Sequence, residues 1–303
     1  MFKVLILQQT YNLSDEQIEY QIRDRLSFMR FLGLRMEDKV PDEKTVWLFR
    51  ERLVEHKLTE KLFARFHEQL AQRGFAARGG QMIDATFVEV PRQRNRREEN
   101  EQIKAGAPPK EWDDNLPKKR QKEVDARWAK KGDETHYGYK NHVNVDDENK
   151  LVQSYTVTDA AVHDSQVFDE LLDPTADDKG DKRPVYADSA YRSKEQEEKL
   201  AQAEIESQII EKGARNHPLT DAQKASNKTK SKTRVRVEHV FATQAQMGGH
   251  IVRTIGRVRA NVKIGLMNLA YNMRRLGQLL KYGAKAVSSY PKPNCRSSAP
   301  SAT

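Results

Sequence analysis

Met82-Ile83-Asp84-Ala85-Thr86-Phe87-Val88 is a short apolar run carrying one acid, and Gly79-Gly80 leads into it. It reads as a strand whose side chains are expected in a core, where an ionised carboxylate is costly unless something compensates it. Working outward, His136 to Val145 and Leu151 to Thr158 alternate on either side of the turn Asp146-Asp147-Glu148-Asn149. Pro184-Val185-Tyr186-Ala187-Asp188 is a further strand that ends on an acid, and Ser207 to Ile210 is a last short one. Asp164 is expected to be the N-cap of a helix through Val167, Phe168, Leu171 and Leu172, and Ser193 with Gln196 caps the next. A lysine-rich loop over 212–233 is expected to feed a helix starting near Arg234. Three early strands followed by alternating helix and strand predict an α/β fold: a mixed sheet with helices on its faces.

Residues 1–78 read as a small all-helical domain. Ser14 with Gln17 forms a capping box before Ile18, Ile22, Leu26 and Met29, and Pro41-Asp42 opens a helix bearing Val46, Phe49 and Leu53. Thr59 is expected to cap a third helix holding Leu62, Phe63, Phe66 and Leu70, closed by Gly74. Tightly linked short helices are compatible with a helix-turn-helix and with any small helical bundle. Residues 79–282 form the second domain, interrupted by a charged insertion at 91–135. Its stretch 91–131 holds 13 bases and 8 acids with almost no periodicity, and is expected to be mobile. The Ser/Pro-rich tail 283–303 is expected to be disordered.

Of 303 residues, 53 are Lys or Arg against 44 Asp or Glu, and 37% are hydrophobic. The longest strongly apolar run near the start, Val4-Leu5-Ile6-Leu7, is too short to span a membrane or to serve as a signal peptide. Cys295 is the sole cysteine, which excludes a disulfide scaffold and cysteine-based zinc sites and fits a reducing, cytoplasmic setting. From Lys212 onward there are 18 bases and only two acids, Asp221 and Glu238, so a basic third follows an acidic body. That asymmetry predicts a polyanionic partner, nucleic acid before others; a basic tail without function is the plain alternative.

Three carboxylates stand out by their neighbours: Asp84, Asp188 at its strand end, and Glu238 within Val235-Arg236-Val237-Glu238-His239-Val240-Phe241. Each has a modest reading as a cap or ion-pair partner: Asp188 over Ser189-Ala190, Glu238 with Arg234 one helical turn earlier. Jointly they lie on the first strand, at the end of the fourth, and on the helix after the fifth, positions that converge in a ribonuclease H-like sheet. Phosphodiester cleavage needs an activated oxygen nucleophile and a stabilised leaving oxygen, which two divalent ions about 4 Å apart can supply. Mg²⁺ takes oxygen ligands, few of them from protein, so two Asp and one Glu suffice.

With these acids stand Met82-Ile83-Asp84-Ala85-Thr86, His136-Tyr137-Gly138-Tyr139-Lys140, Val162-His163-Asp164-Ser165, Tyr186-Ala187-Asp188-Ser189-Ala190-Tyr191 and Arg236-Val237-Glu238-His239-Val240-Phe241. Arg253-Thr254-Ile255-Gly256 and Arg259-Ala260 follow. In this order the set resembles a bacterial insertion-sequence transposase of the Asp-Asp-Glu type, insertion-sequence family five, over about residues 1–282. The resemblance implies a helical N-terminal DNA-binding domain, here incomplete at its start, and a ribonuclease H-like catalytic domain. It also implies Asp84, Asp188 and Glu238 as the metal-binding catalytic triad. Around the third acid, Arg234 and Glu238 match the common Tyr-x2-Arg-x3-Glu-x6-Lys pattern, whereas Ser231 and Ala245 stand at its Tyr and Lys positions.

The expected activity is Mg²⁺- or Mn²⁺-dependent cleavage at insertion-sequence ends and transfer of the freed 3′-OH into target DNA, with two ions. Double-stranded DNA is the partner, a homo-oligomer the form that pairs two ends, and the nucleoid the place. The alternatives are an inactive DNA-binding relic and a ribonuclease H-like nuclease or resolvase. Lys140 and Arg234 are candidates for scissile-strand phosphates; Arg236, Arg253, Arg257 and Arg259 are further DNA-binding candidates. His163 is read as a site neighbour or as preceding a cap, His239 as a packing residue, and Leu266, Leu269, Met273, Leu276 and Leu280 as a core or dimer face.

Overall fold

A computed structural model of the chain describes residues 1–75, 79–175, 182–214 and 217–282. The tail 283–303, expected to be disordered, lies outside the described residues. Five helices come first: α1 (Phe2–Tyr11), α2 (Asp15–Asp24), α3 (Leu26–Leu32), α4 (Glu43–Glu55) and α5 (Leu58–Gln72). The Ser14 capping box forms as the sequence predicts. Gln17 N–H donates to Ser14 Oγ at 3.1 Å and Ser14 N–H to Gln17 Oε1 at 3.0 Å. Ser14→Ala is expected to lower stability by about 1 kcal/mol, read as a shifted urea midpoint with an unchanged slope; no shift would mean that packing alone fixes the start of α2.

Asp42 caps α4 through the Thr45 amide at 2.7 Å. Thr59 does not cap α5. The link from α4 is so short that Lys57, in the left-handed region at φ 48°, is the cap residue, and Thr59 is buried inside the first turn. Gly74, at φ 79°, closes α5 as expected, its amide and that of Phe75 satisfying Ala71 and Leu70 carbonyls.

The sheet is built from β1 (Gln81–Glu89), β2 (Arg127–Lys131), β3 (Glu134–Asp146), β4 (Val152–Asp159) and β5 (Val185–Tyr186). β1 pairs antiparallel with β3, Asp84 facing Val143, and β4 lies along the other side of β3. β5 pairs parallel with β1, Met82 against Tyr186. Residues 207–210 run beside β5, Gln208 N–H bonding Val185 O and Ile210 N–H bonding Ala187 O, in the place expected of the last strand. This is the ribonuclease H-like mixed sheet with flanking helices, preceded by the helical region.

Alternation along β1 sends neighbours to opposite faces. Ile83 packs with Phe168, Leu171, Val185, Tyr191 and Leu200. Met82 packs with Val143, Val145, Val237, Val240 and Leu269 on the other side. The covering helices are α6 (Arg97–Lys104), α7 (Leu116–Gln121), α8 (Phe168–Leu171), α9 (Lys194–Gln202), α10 (Asp221–Arg234), α11 (Arg236–Gln246) and α12 (Arg257–Tyr282). α12 reaches from the sheet to the N-terminal helices, where Val262 and Leu266 share one core with Leu5, Ile18, Ile22, Val46 and Leu53. Leu266, Leu269 and Leu276 are buried as predicted, while Leu280 is 61% exposed. Among the described residues no helix is long and apolar enough to cross a membrane.

Three segments differ from the sequence reading. Residues 91–131 carry α6, α7 and β2 rather than an irregular stretch, because Glu99 and Trp112 are buried together and bonded at 2.8 Å. The lysine-rich segment 212–233 is helical from Asp221, started by the reciprocal pair Thr220 and Gln223. Asp164 is not a cap: His163 holds that position, accepting from the Ser165 amide at 3.3 Å, and the turn it starts is a 3-10 turn over Asp164–Val167. Lys140 draws the Asp164 carboxylate away instead.

Candidate active site

β1 delivers Asp84 from the centre of the sheet, and the paired neighbours of β1 leave its side chain only 15% exposed. One carboxylate oxygen accepts from the Ala85 amide at 2.8 Å, the other from Arg234 Nη1 at 2.7 Å. Arg234 ends α10, and Val235 carries the helical path on into α11, so Arg234 and Glu238 remain one turn apart. The second guanidinium nitrogen lies 3.4 Å from Glu238 Oε1. One cation thus joins two of the three acids, and both plain expectations for Glu238 and Asp188 are met: Asp188 Oδ1 accepts from the Ala190 amide at 2.7 Å and caps the 3-10 turn Ser189–Tyr191.

Burial is the main reason that the Asp84 carboxyl is pushed up to about 6; the nearby Asp188 charge adds to this, while the Ala85 amide, Arg234 and Lys131 oppose it. Asp84 and Asp188 are therefore electrostatic neighbours, brought together across the sequence by the parallel pairing of β1 with β5. Among the described residues no three acids, histidines or cysteines stand close enough together to hold a metal ion as they are. The donor chemistry fits a hard divalent cation all the same. The acids are oxygen ligands, one is desolvated, and a guanidinium already supplies the positive charge that desolvation demands.

The other predicted residues divide. Lys140 is turned inward, its ammonium 2.8 Å from both Val162 O and Asp164 Oδ1 and 5.2 Å from the Phe87 ring centroid. Arg236 is exposed and donates to Asp147 O at 3.3 Å. Arg259 forks onto Glu51 at 2.7–3.0 Å. Arg253 and Arg257 face solvent at the start of α12. His239 is exposed on α11 and so is not the packing residue the sequence reading made it, since Val237 and Val240 take the buried face.

Sequence reasoning missed Lys131, whose charge reaches Asp84 from β2, and Asp164 with Tyr191, which stand behind the acids. Lys131 carries no local mark, and Asp164 and Tyr191, though inside motif segments, were given no site role; the pairing of β2 with β3 and the turn after Asp188 bring them close.

A family model described as a Transposase DDE domain matches residues 76–273, a span that contains Asp84, Asp188 and Glu238. A second, described as a Transposase domain (DUF772), matches residues 1–52. No solved structure matches the chain.

Proposed function

The chain belongs to the family of transposase DDE domains, and from that premise we propose that it cuts DNA at the ends of an insertion sequence and joins the freed 3′-OH to target DNA. The family acts on DNA with divalent cations. The finer reading is insertion-sequence family five, with Asp84, Asp188 and Glu238 as the acids that hold two Mg²⁺ or Mn²⁺ ions, in a multimer that pairs two DNA ends.

One observation carries this reading: a desolvated Asp84, within the matched span, shares a single guanidinium with Glu238 while Asp188 stands within reach of its charge. When bound, the cations supply activation of the attacking oxygen and stabilisation of the leaving 3′ oxygen. The rest falls to the chain. Asp84 loses its proton near pH 6, so it meets a cation as the carboxylate at neutral pH. The Ala190 amide turns one Asp188 oxygen inward to the backbone and leaves the other for ligation. Arg234 balances Asp84 and Glu238, and with a cation held by the acids its guanidinium would be free to meet a phosphate of the cleaved strand. Arg253 and Arg257 extend the same contact along the backbone of the duplex.

The test is a cleavage and joining assay with DNA from either side of the gene, with Mg²⁺ or Mn²⁺. Metal-dependent cutting and a joined product are expected, both lost in Asp188→Asn and Glu238→Gln with DNA binding retained. Cutting that survives both substitutions would sink the assignment of the acids. Binding without cutting by the unaltered chain would favour an inert DNA-binding protein, and cutting without joining a nuclease.

A further inference from the structure

The Tyr191 hydroxyl is buried and has no hydrogen-bond partner, although its ring is well packed against Phe168 at a centroid distance of 5.7 Å. A buried phenol normally finds an acceptor, because an unmet O–H inside a protein costs about 1–3 kcal/mol. This one has candidates at hand. It lies on the 3-10 turn that Asp188 caps, three residues after that acid, and within reach of the charges of Asp164, Asp84 and Asp188. Asp84 is already committed, giving one oxygen to Ala85 and the other to Arg234, while Asp164 has one oxygen drawn to Lys140; of the two acids with an oxygen to spare, only Asp188 shares a turn with Tyr191. Asp188 gives one oxygen to the Ala190 amide.

We propose that Tyr191 is a positioning residue of the carboxylate centre: once a divalent cation engages Asp188, the phenol donates to that carboxylate and fixes the angle at which it meets the cation. The inference rests on the reading of Asp188 as a ligand. Its physical basis is that ligating carboxylates need outer hydrogen bonds to hold their orientation, and that such partners are worth about 10–100-fold in metal affinity. The donor is dependable, since burial, then the surrounding carboxylates, hold the phenol above its usual range and keep it protonated. Its place on the capped turn means that Asp188 and its orienting donor are set by one piece of backbone.

The experiment is a Mn²⁺ titration of the full chain without DNA, following free Mn²⁺ by electron paramagnetic resonance, for the unaltered protein, Tyr191→Phe and Asp188→Asn. Tyr191→Phe keeps the ring and removes only the unmet hydroxyl, so its melting temperature without metal is expected to match or exceed that of the unaltered chain. Its Mn²⁺ affinity is expected to fall about tenfold or more, and Asp188→Asn to fall further. Equal affinity in Tyr191→Phe, with loss in Asp188→Asn, overturns the role of Tyr191 and leaves the acids standing. A loss of affinity matched by a lower melting temperature means a packing role and overturns it as well. Unchanged binding by Asp188→Asn removes both this inference and the reading on which it rests.

Discussion

Asp84→Asn is expected to abolish metal-dependent strand cleavage, by about a thousandfold or more, and to make the folded chain more stable above pH 6. The first effect follows from the several kcal/mol of charge stabilisation that a cation centre supplies, tenfold in rate for each 1.4 or so. The second follows from the cost of keeping that carboxylate ionised inside the sheet. Its pKa is raised from 3.8 to about 6, chiefly by burial, so the folded chain binds the proton more tightly than the unfolded chain does. Between those two values the folded state holds more protons, and stability therefore falls as pH rises through the window. Below it the acid is neutral in both states and an amide changes little. Above it the native chain carries a penalty of up to about 3 kcal/mol that asparagine avoids. The Arg234 charge is already counted in that raised value, so about 3 kcal/mol is the upper bound of the gain. Urea midpoints at pH 3 and pH 8 decide it: the variant should match the unaltered chain at the lower pH and exceed it at the higher. A variant less stable at pH 8 would mean that Arg234 more than compensates the burial, and a variant that still cuts DNA would remove Asp84 from the chemistry.

Why Asp84 was legible and its bond to Arg234 was not comes down to the range of the interactions. An acid inside Met82–Val88 conflicts with its own neighbours, and that conflict can be read from seven residues; so can the i,i+4 spacing of Arg234 and Glu238. The bond from Arg234 to Asp84 spans 150 positions and exists only because α10 ends beside β1. Lys140 shows the converse. Its charge suggested a phosphate contact, but its place on β3 turns it toward Phe87 and Asp164, and a strand pattern does not reveal which polar side is covered. α10 escaped the apolar periodicity because it buries nothing among its described residues; the signal was Thr220 and Gln223, a capping pair in the same pattern that was read at Ser14. The succession of strands along the chain was legible because those strands are locally apolar or alternating, whereas β2, a strand of mostly exposed residues, was not, and the order of strands in the sheet was not read at all.

Glu123→Ala is expected to lower stability by about 3–5 kcal/mol, a large effect for a residue in a segment whose composition reads as solvated loop. Glu123 is 2% exposed, and its carboxylate is met by hydrogen-bond donors of the turn, the sheet and α12. One oxygen accepts from Tyr139 O–H at 2.8 Å and from the amides of Asp125 and Ala126 at 2.8 and 3.2 Å; the other accepts from the Gly256 amide at 2.8 Å. Asp125 takes the Arg257 amide at 2.8 Å, so two carboxylates of the charged segment meet the first amides of α12, where the helix dipole favours negative charge. Alanine leaves the buried Tyr139 hydroxyl and the Gly256 amide without acceptors, each worth about 1–3 kcal/mol, and loosens the turn at 123–126. α12 contributes to the cores on both sides of this latch, through Val262 and Leu266 toward the N-terminal helices and through Ala260, Ile264 and Met267 toward Val88, Ala126 and Tyr139. Loss of the latch should therefore appear globally in a urea midpoint and locally as earlier proteolytic cleavage within 92–122. Glu101→Ala, at an exposed site on α6 of the same segment, is the control and should change stability by no more than about 0.5 kcal/mol. If Glu123→Ala behaves like that control, the segment is held by its other contacts, the Glu99–Trp112 bond and the packing of Trp112 and Ala126 among them. If it behaves as expected, a stretch with 21 charged residues among 41 is folded through carboxylate contacts of long sequence range, which is why its composition concealed it.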